Sequence, residues 1–253
     1  MNRRQFLQGT GGLILGVLTG NTIKNEIDKH NTNKTLTKKS NDLEWMLNNV
    51  EDHIHMAEHE FKYTIPTSSE KEHGHKVKGV GIVVDGLYLT PNHVGCLDAL
   101  PQRTPFGIMY IPIELKSEKH KVGDVGLDKI ISSKDPDVAI FKPNAPLKEF
   151  PYDVSYEVKK GDTIYVLGNP QLIGLNIRKG MVSDVDDFGE QTTGCFGIDV
   201  GLIPGDSGSP VLNEDLNLIG IANFGAYGSL GYCTKMKCFD DVYKNRKEVK
   251  NVN

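Results

Sequence analysis

The chain has 253 residues and a near-even charge balance, 29 Lys and Arg against 33 Asp and Glu, for a net charge of −4. Its basic residues are scattered, which excludes the clustered positive face of a nucleic-acid binder. With the ends set aside, about 190 residues remain, enough for one domain or two small packed barrels.

The first twenty residues, "MNRRQFLQGTGGLILGVLTG", join a basic start to an apolar stretch from Gly11 to Leu18. That stretch is short and glycine-rich for a membrane span and suits the core of a signal peptide. "RRQFL" resembles the twin-arginine export motif through Arg3, Arg4, Phe6 and Leu7, which implies export of a folded chain. No A-x-A cleavage site follows, so an uncleaved membrane tether stays open beside a cleaved signal. Residues 21–40, rich in Asn, Thr and Lys, read as a flexible polar tether.

Residues 41–61, "NDLEWMLNNVEDHIHMAEHEF", carry Leu43, Leu47, Val50, Ile54, Ala57 and Phe61 at three- and four-residue spacings, and Asn41 with Glu44 suits a capping box. The expectation is a helix packed on the body. His55 and His59 would share one face of it, a spacing able to bind a metal, but no complete ligand set follows. A solvated helix face is the better account, and no metal or cofactor is expected.

Beyond residue 75 the pattern changes to short β-branched runs, "GVGIVV", "TIYVLG" and "LIGIANF", each bounded by Gly, Pro or Asn, which points to an all-β body. In "GVGIVVDGLYLTPNHVGC" two strands meet at an Asp85-Gly86 turn, and His93 follows the second strand. Taken alone, a histidine there is more often a structural one. In "SSKDPDVAIFKP", Asp137 stands at the mouth of the apolar strand "VAIF". A carboxylate so placed is partly desolvated and needs a donor such as an imidazole N–H.

"PGDSGSP" at 204–210 holds Ser207 between flexible residues. As a bare string it is a surface turn. Alternatively, Gly205 and Gly208 free the backbone to gather amide N–H groups beside the Ser207 hydroxyl. A serine acts as a nucleophile only with a base and a group that orients the base. His93 and Asp137 supply both in a consistent chain order.

"GVGIVVDGLYLTPNHV", "DPDVAIFK", "GDTIYVLGNP" with "GMVSDV", and "PGDSGSPVLNEDLNLIGI" together resemble successive landmarks of the chymotrypsin-like serine proteases, nearest the bacterial HtrA-type and glutamyl endopeptidase branches. The resemblance runs from Val77 to Phe224. It implies two six-stranded antiparallel β-barrels, one over about 75–145 and one over about 155–240, with the active site between them. His93 and Asp137 would come from the first and Ser207 from the second, with the amides of Gly205 and Ser207 as oxyanion hole.

The resemblance further implies a substrate pocket of Gly201, Leu202, Ile221, Ala222, Asn223 and Phe224. Gly201 offers no carboxylate to a basic side chain, and Ala222 stands where glutamyl endopeptidases carry histidine, so an uncharged, small-to-medium apolar P1 residue is expected. Protein or peptide substrates follow; an oligomeric state does not. Asp206 matches the aspartate that digestive trypsins pair with a freed N-terminus, yet "GHKVKGVGIV" offers no such activation start. Asp206 is therefore expected to be solvated or paired with a basic side chain.

HtrA-type proteases add peptide-binding (PDZ) domains, whereas 29 residues follow Phe224 and "CFDDVYKNRKEVK" reads as a terminal helix, so none is expected. Cys96, Cys195, Cys233 and Cys238 are open to disulfide pairing or to burial as small hydrophobes. An esterase is disfavoured because "GDSGS" does not fit G-x-S-x-G. A protease-like binding protein that has lost turnover is the alternative from another class.

Overall fold

The computed structural model describes residues 49–249 except 67–70, 105–106, 170, 172–173, 187–192 and 227. The signal-like segment 1–20, the tether 21–40 and the first part of the expected helix, 41–48, lie outside the described residues.

Fourteen strands run in chain order: β1 (Ile54–Thr64), β2 (His73–Val84), β3 (Leu87–Thr90), β4 (Ala99–Thr104), β5 (Gly107–Pro112), β6 (Glu114–Val122), β7 (Val125–Ser133), β8 (Val138–Pro143), β9 (Thr163–Gly168), β10 (Asn176–Asp184), β11 (Cys195–Ile198), β12 (Pro210–Asn213), β13 (Leu218–Ala226) and β14 (Leu230–Lys235). Among the described residues two helices join them, α1 (Asn92–Gly95) and α2 (Met236–Val249). Six strands close a first barrel in the order β1-β2-β3-β8-β7-β6, and six close a second in the order β10-β11-β14-β13-β12-β9. Closure leaves neither sheet an open edge, which is how antiparallel folds avoid edge-to-edge association. Strands β4 and β5 form a separate two-stranded sheet.

The expected helix over 41–61 is corrected from residue 54 onward. Residues 51–53 form one 3-10 turn, and Ile54–Thr64 is β1, paired antiparallel with β2 on one side and β6 on the other. Barrel one therefore begins at residue 54 rather than about 75. Ala57, His59, Phe61 and Tyr63 are buried while Glu58, Glu60 and Lys62 are not, the period of two of a half-buried strand. His59 and Tyr63 supply the missing inward positions that a count of aliphatic residues leaves out.

The expected solvated histidines are corrected with it. His59 is fully buried, with Nδ1 2.9 Å from His120 Nδ1, so one ring donates to the other. His55 Nε2 lies 2.8 Å from the Lys148 carbonyl, which ties β1 to the segment between the barrels.

The turn between β2 and β3 is the Asp85-Gly86 pair, with φ of 50° and 73°. Both central residues in the left-handed region match the strand twist, which is why Asp-Gly favours such hairpins. Phe61, Ile82, Tyr88, Ile140 and Phe141 are among the largest fully buried side chains of barrel one; Ile164, Phe196, Ile198, Leu212 and Leu218 fill barrel two. Helix α2 buries Met236 and Phe239 and packs on β7 and β8 of the first barrel and on β13 and β14 of the second. None of the four cysteines is in a disulfide, and burial pushes the Cys195 thiol up to about 11, far from a thiolate at neutral pH.

Candidate active site

His93 sits in α1, the helical turn that follows β3. This turn lies close on the barrel: a Cβ on Gly79 would be 2.1 Å from Val94 Cγ1, and one on Gly95 would be 2.9 Å from the Phe141 ring. Asp137 directly precedes β8, the strand hydrogen-bonded to β3, so sheet pairing brings the two residues to one rim of barrel one. Asp137 Oδ1 accepts from the His93 backbone N–H at 2.9 Å, and Oδ2 lies 2.6 Å from His93 Nδ1. One carboxylate thus fixes both the backbone and the ring of His93. The imidazole side chain is 45 % exposed and the carboxylate 19 %, so the ring faces outward and its anchor inward.

Ser207 lies in the loop before β12. That loop rests on barrel one: the Ser207 carbonyl accepts from Val80 N–H at 3.3 Å, and Thr90 Oγ1 donates to the Val80 carbonyl at 2.8 Å. Gly208 has φ +94°, and a Cβ there would be 1.6 Å from the Val80 oxygen. Only glycine permits that approach. Thr90 ends β3, the strand that leads into α1, so the Ser207 loop is seated beside the element that carries His93. Ser207 Oγ donates to the Asn223 carbonyl at 2.8 Å.

Gly205 has φ +100°. Among the described residues the amides of Gly205 and Ser207 have no intramolecular acceptor, whereas those of Asp206, Gly208 and Ser209 bond to the carbonyls of Ile203, Ala222 and Asp206. Two unengaged N–H groups beside a serine hydroxyl are the raw material of an oxyanion site.

Asp206 has no exposed side-chain surface, and Arg178 Nη2 lies 2.7 Å from its Oδ1. Of the two expectations for Asp206, pairing with a basic side chain is observed and solvation is not. The contact is off hydrogen-bond alignment, since neither atom has a hydrogen-bond partner, and it acts as a charge pair. Asp206 Oδ2 accepts from Ile203 N–H at 2.9 Å, and Arg178 Nη1 donates to the Gly201 carbonyl at 2.8 Å. A Cβ on Gly168 would lie 2.3 Å from Asp206 Oδ1 and 2.4 Å from Arg178 Nη2, so glycine leaves room for the pair. Sequence reasoning had no signal for Arg178, which reads as one more charge in β10.

Most of the residues named for the pocket are not open to a substrate. Ile221 and Ala222 are fully buried, Ala222 and Leu202 both lie within the core of barrel two, and Asn223 turns its amide inward to Thr234 Oγ1 at 3.2 Å. Gly201 and Phe224 are half-buried, with Phe224 stacked on Tyr232 at 5.0 Å between ring centres. Among the described residues, no group of three His, Cys, Asp or Glu side chains could hold a metal ion.

Residues 79–221, more than half of the chain, match the model of the trypsin-like peptidase domain, and the chain belongs to that family. It is 27 % identical over 186 residues to a Chlamydia pneumoniae protein described as "Probable periplasmic serine endoprotease DegP-like", covering 67 % of this chain and 33 % of that one. The chain thus spans about a third of that relative's length. Among solved structures it resembles the HtrA-type protease AlgW with a tripeptide (19 % identity, TM-score 0.53, 79 % of this chain and 61 % of that one). It also resembles an AlgW variant with a decapeptide (18 % identity, TM-score 0.57, 80 % and 65 %). At these identities the likeness concerns the fold, which is the chymotrypsin-like pair of barrels.

Proposed function

We propose that the chain is an exported serine endopeptidase in which His93, Asp137 and Ser207 hydrolyse peptide bonds through an acyl-enzyme. The observation that carries this reading is the double anchoring of His93 by Asp137, at the rim where the Ser207 loop docks on β2.

Catalysis begins when Ser207 Oγ releases its hydrogen bond to the Asn223 carbonyl and turns its proton toward His93 Nε2. The oxygen attacks the scissile carbonyl carbon as the proton passes to Nε2, and Asp137 stabilises the imidazolium while holding Nδ1–H in the productive tautomer. The carbonyl oxygen becomes an oxyanion between the amides of Gly205 and Ser207, each donor contributing about 3 kcal/mol to the barrier reduction. Nε2 then returns the proton to the leaving amine, the C–N bond breaks, and the acyl group stays on Ser207. Water, deprotonated by the same Nε2, attacks the ester and frees the acid and the serine.

Because Arg178 already neutralises Asp206, the loop needs no newly freed N-terminus to hold its shape. The twin-arginine-like start and the periplasmic description of the relative support export. An uncharged apolar P1 residue fits the absence of a carboxylate at Gly201.

Digestion of a diverse peptide library, with cut sites read by mass spectrometry, tests the reading. The native chain is expected to cut and Ser207→Ala to lose at least a thousandfold in rate. Equal cutting by both would exclude Ser207 as the nucleophile, and no cutting by folded native protein would exclude proteolysis without an activator.

A further inference from the structure

The peptide unit that follows Ser207 is held from both barrels. Its carbonyl, on Ser207, accepts from the Val80 N–H of β2 in barrel one at 3.3 Å, and its N–H, on Gly208, donates to the Ala222 carbonyl of β13 in barrel two at 2.8 Å. The plane of that unit sets the direction of the Ser207 Cα–Cβ bond, and with it the place of Oγ relative to His93. On the barrel-one side, a strand residue inside a closed sheet has an N–H to give only where the ladder is interrupted.

The dipeptide Thr90-Pro91 makes that interruption. Strands β2 and β3 pair as Val83↔Tyr88 and Ile82↔Leu89, so the same register continued by two residues sets Val80 opposite Pro91. Proline has no N–H to donate across the ladder. The Val80 N–H turns to Ser207 instead, and the Val80 carbonyl accepts from Thr90 Oγ1 at 2.8 Å. Both residues are buried, so bulk water does not compete for the carbonyl. Gly208 rests against that same carbonyl, and a Cβ on Gly208 would also lie 3.2 Å from Thr90 Oγ1. The backbone of Thr90 is itself paired with Ala139 of β8, two residues beyond Asp137. Its hydroxyl therefore lies where the frame of His93 and Asp137 meets the Ser207 loop.

We propose that Thr90 is a positioning residue for the nucleophile: its hydroxyl holds Val80 in the orientation from which the Val80 N–H fixes the Ser207 carbonyl, and so registers Ser207 Oγ with His93 across the junction of the barrels. The proposal rests on Ser207 being the nucleophile. A group that fixes only this geometry acts on the chemical step, where a misplacement of about 1 Å costs on the order of a hundredfold in rate. It leaves the binding of a peptide in the ground state alone. Threonine and serine both carry the donor, whereas valine, matched to threonine in shape, turns a methyl group toward a buried carbonyl.

The test measures kcat and KM of the whole chain on a peptide coumarylamide built from a cut site of the library digestion, beside Thr90→Val and Thr90→Ser. Thr90→Val is expected to lose about tenfold or more in kcat with KM within about twofold of native, and its rate of labelling by a fluorophosphonate to fall by a similar factor. Thr90→Ser is expected to keep kcat within about threefold of native, because it keeps the donor. Lost packing alone would lower the midpoint of thermal unfolding in both variants without separating their kcat per folded molecule. If Thr90→Val does not fold, Thr90→Ala, which relieves any crowding by the second methyl group, is read in its place. A folded variant without the hydroxyl that keeps kcat within about twofold of native, or Thr90→Ser falling as far as that variant, would overturn the role of Thr90 and leave the peptidase reading standing. Folded native protein that neither cuts nor labels would overturn the peptidase reading itself.

Discussion

Asp206 shows how much one partner decides. A carboxylate with no exposed surface is costly unless a charge of opposite sign and hydrogen bonds replace its water. Arg178 supplies the charge and Ile203 N–H a hydrogen bond. Arg178→Met is therefore expected to cost about 3–5 kcal/mol in urea unfolding, because it strands the carboxylate. Adding Asp206→Asn to that variant should recover most of the loss, since it removes the buried charge. A single variant within about 1 kcal/mol of native would show that the pair has little weight. At this scale the sequence was informative where residue type dictates chemistry: His93, Asp137 and Ser207 stood out by type, order and strand context. Arg178 did not, because its partner lies on another element and nothing local marks an arginine in a strand as buried.

Strand β1 shows where element-level reading fails. Apolar residues at 54, 57 and 61 fit a helical period, yet from Ala57 to Tyr63 burial alternates strictly once His59 is allowed to face the core. Histidine is ambiguous in a hydrophobic pattern because its neutral ring is readily buried when a partner takes its N–H. Here the partner is His120 on the adjacent β6, close to Phe141, with Phe61 also edge-on to the His120 ring. Residues so distant in sequence cannot announce that pairing. Burial, aided by the neighbouring His120, lowers the His59 pKa to about 3 from its ordinary 6.5. Glu118, 3.4 Å from His120 and also paired with Lys129, is held down to about 2.

The sign of the pH dependence follows. A histidine with a lowered folded pKa contributes its full stability above 6.5 and loses it as pH falls from there toward 3. The Glu118 contribution acts in the same direction, present above its ordinary 4.5 and lost as pH falls toward 2. Stability is expected to drop by about 2 kcal/mol between pH 7 and pH 5 from His59, at about 1.4 kcal/mol per pH unit below 6.5. Urea unfolding at the two pH values checks this. His59→Phe should flatten the difference, and an unchanged difference would place the sensitive group elsewhere.

At the scale of the whole molecule, neither barrel holds a complete site. In the proposed mechanism barrel one supplies the base and its orienter at the β3–α1 and β7–β8 junctions, and barrel two supplies the hydroxyl and the unengaged amides before β12. Their junction depends on glycine: Gly208 lets the Ser207 loop touch the backbone of β2, which a side chain would prevent. The all-β body was legible because short β-branched runs punctuated by Gly and Pro recur along the chain, whereas its division into two barrels followed only from the resemblance of the quoted motifs to the chymotrypsin-like proteases. The seating of Gly208 on the Val80 carbonyl was not, since residues so far apart in the chain meet only in the folded molecule.

The central claim is that side chains from two barrels make Ser207 a nucleophile, and reaction with a fluorophosphonate followed by peptide mapping tests it most directly. The account predicts one adduct, on Ser207, in the native chain, and a loss of labelling rate of at least a hundredfold in folded His93→Ala. Folded native protein without an adduct, an adduct on another residue, or undiminished labelling in His93→Ala would contradict it.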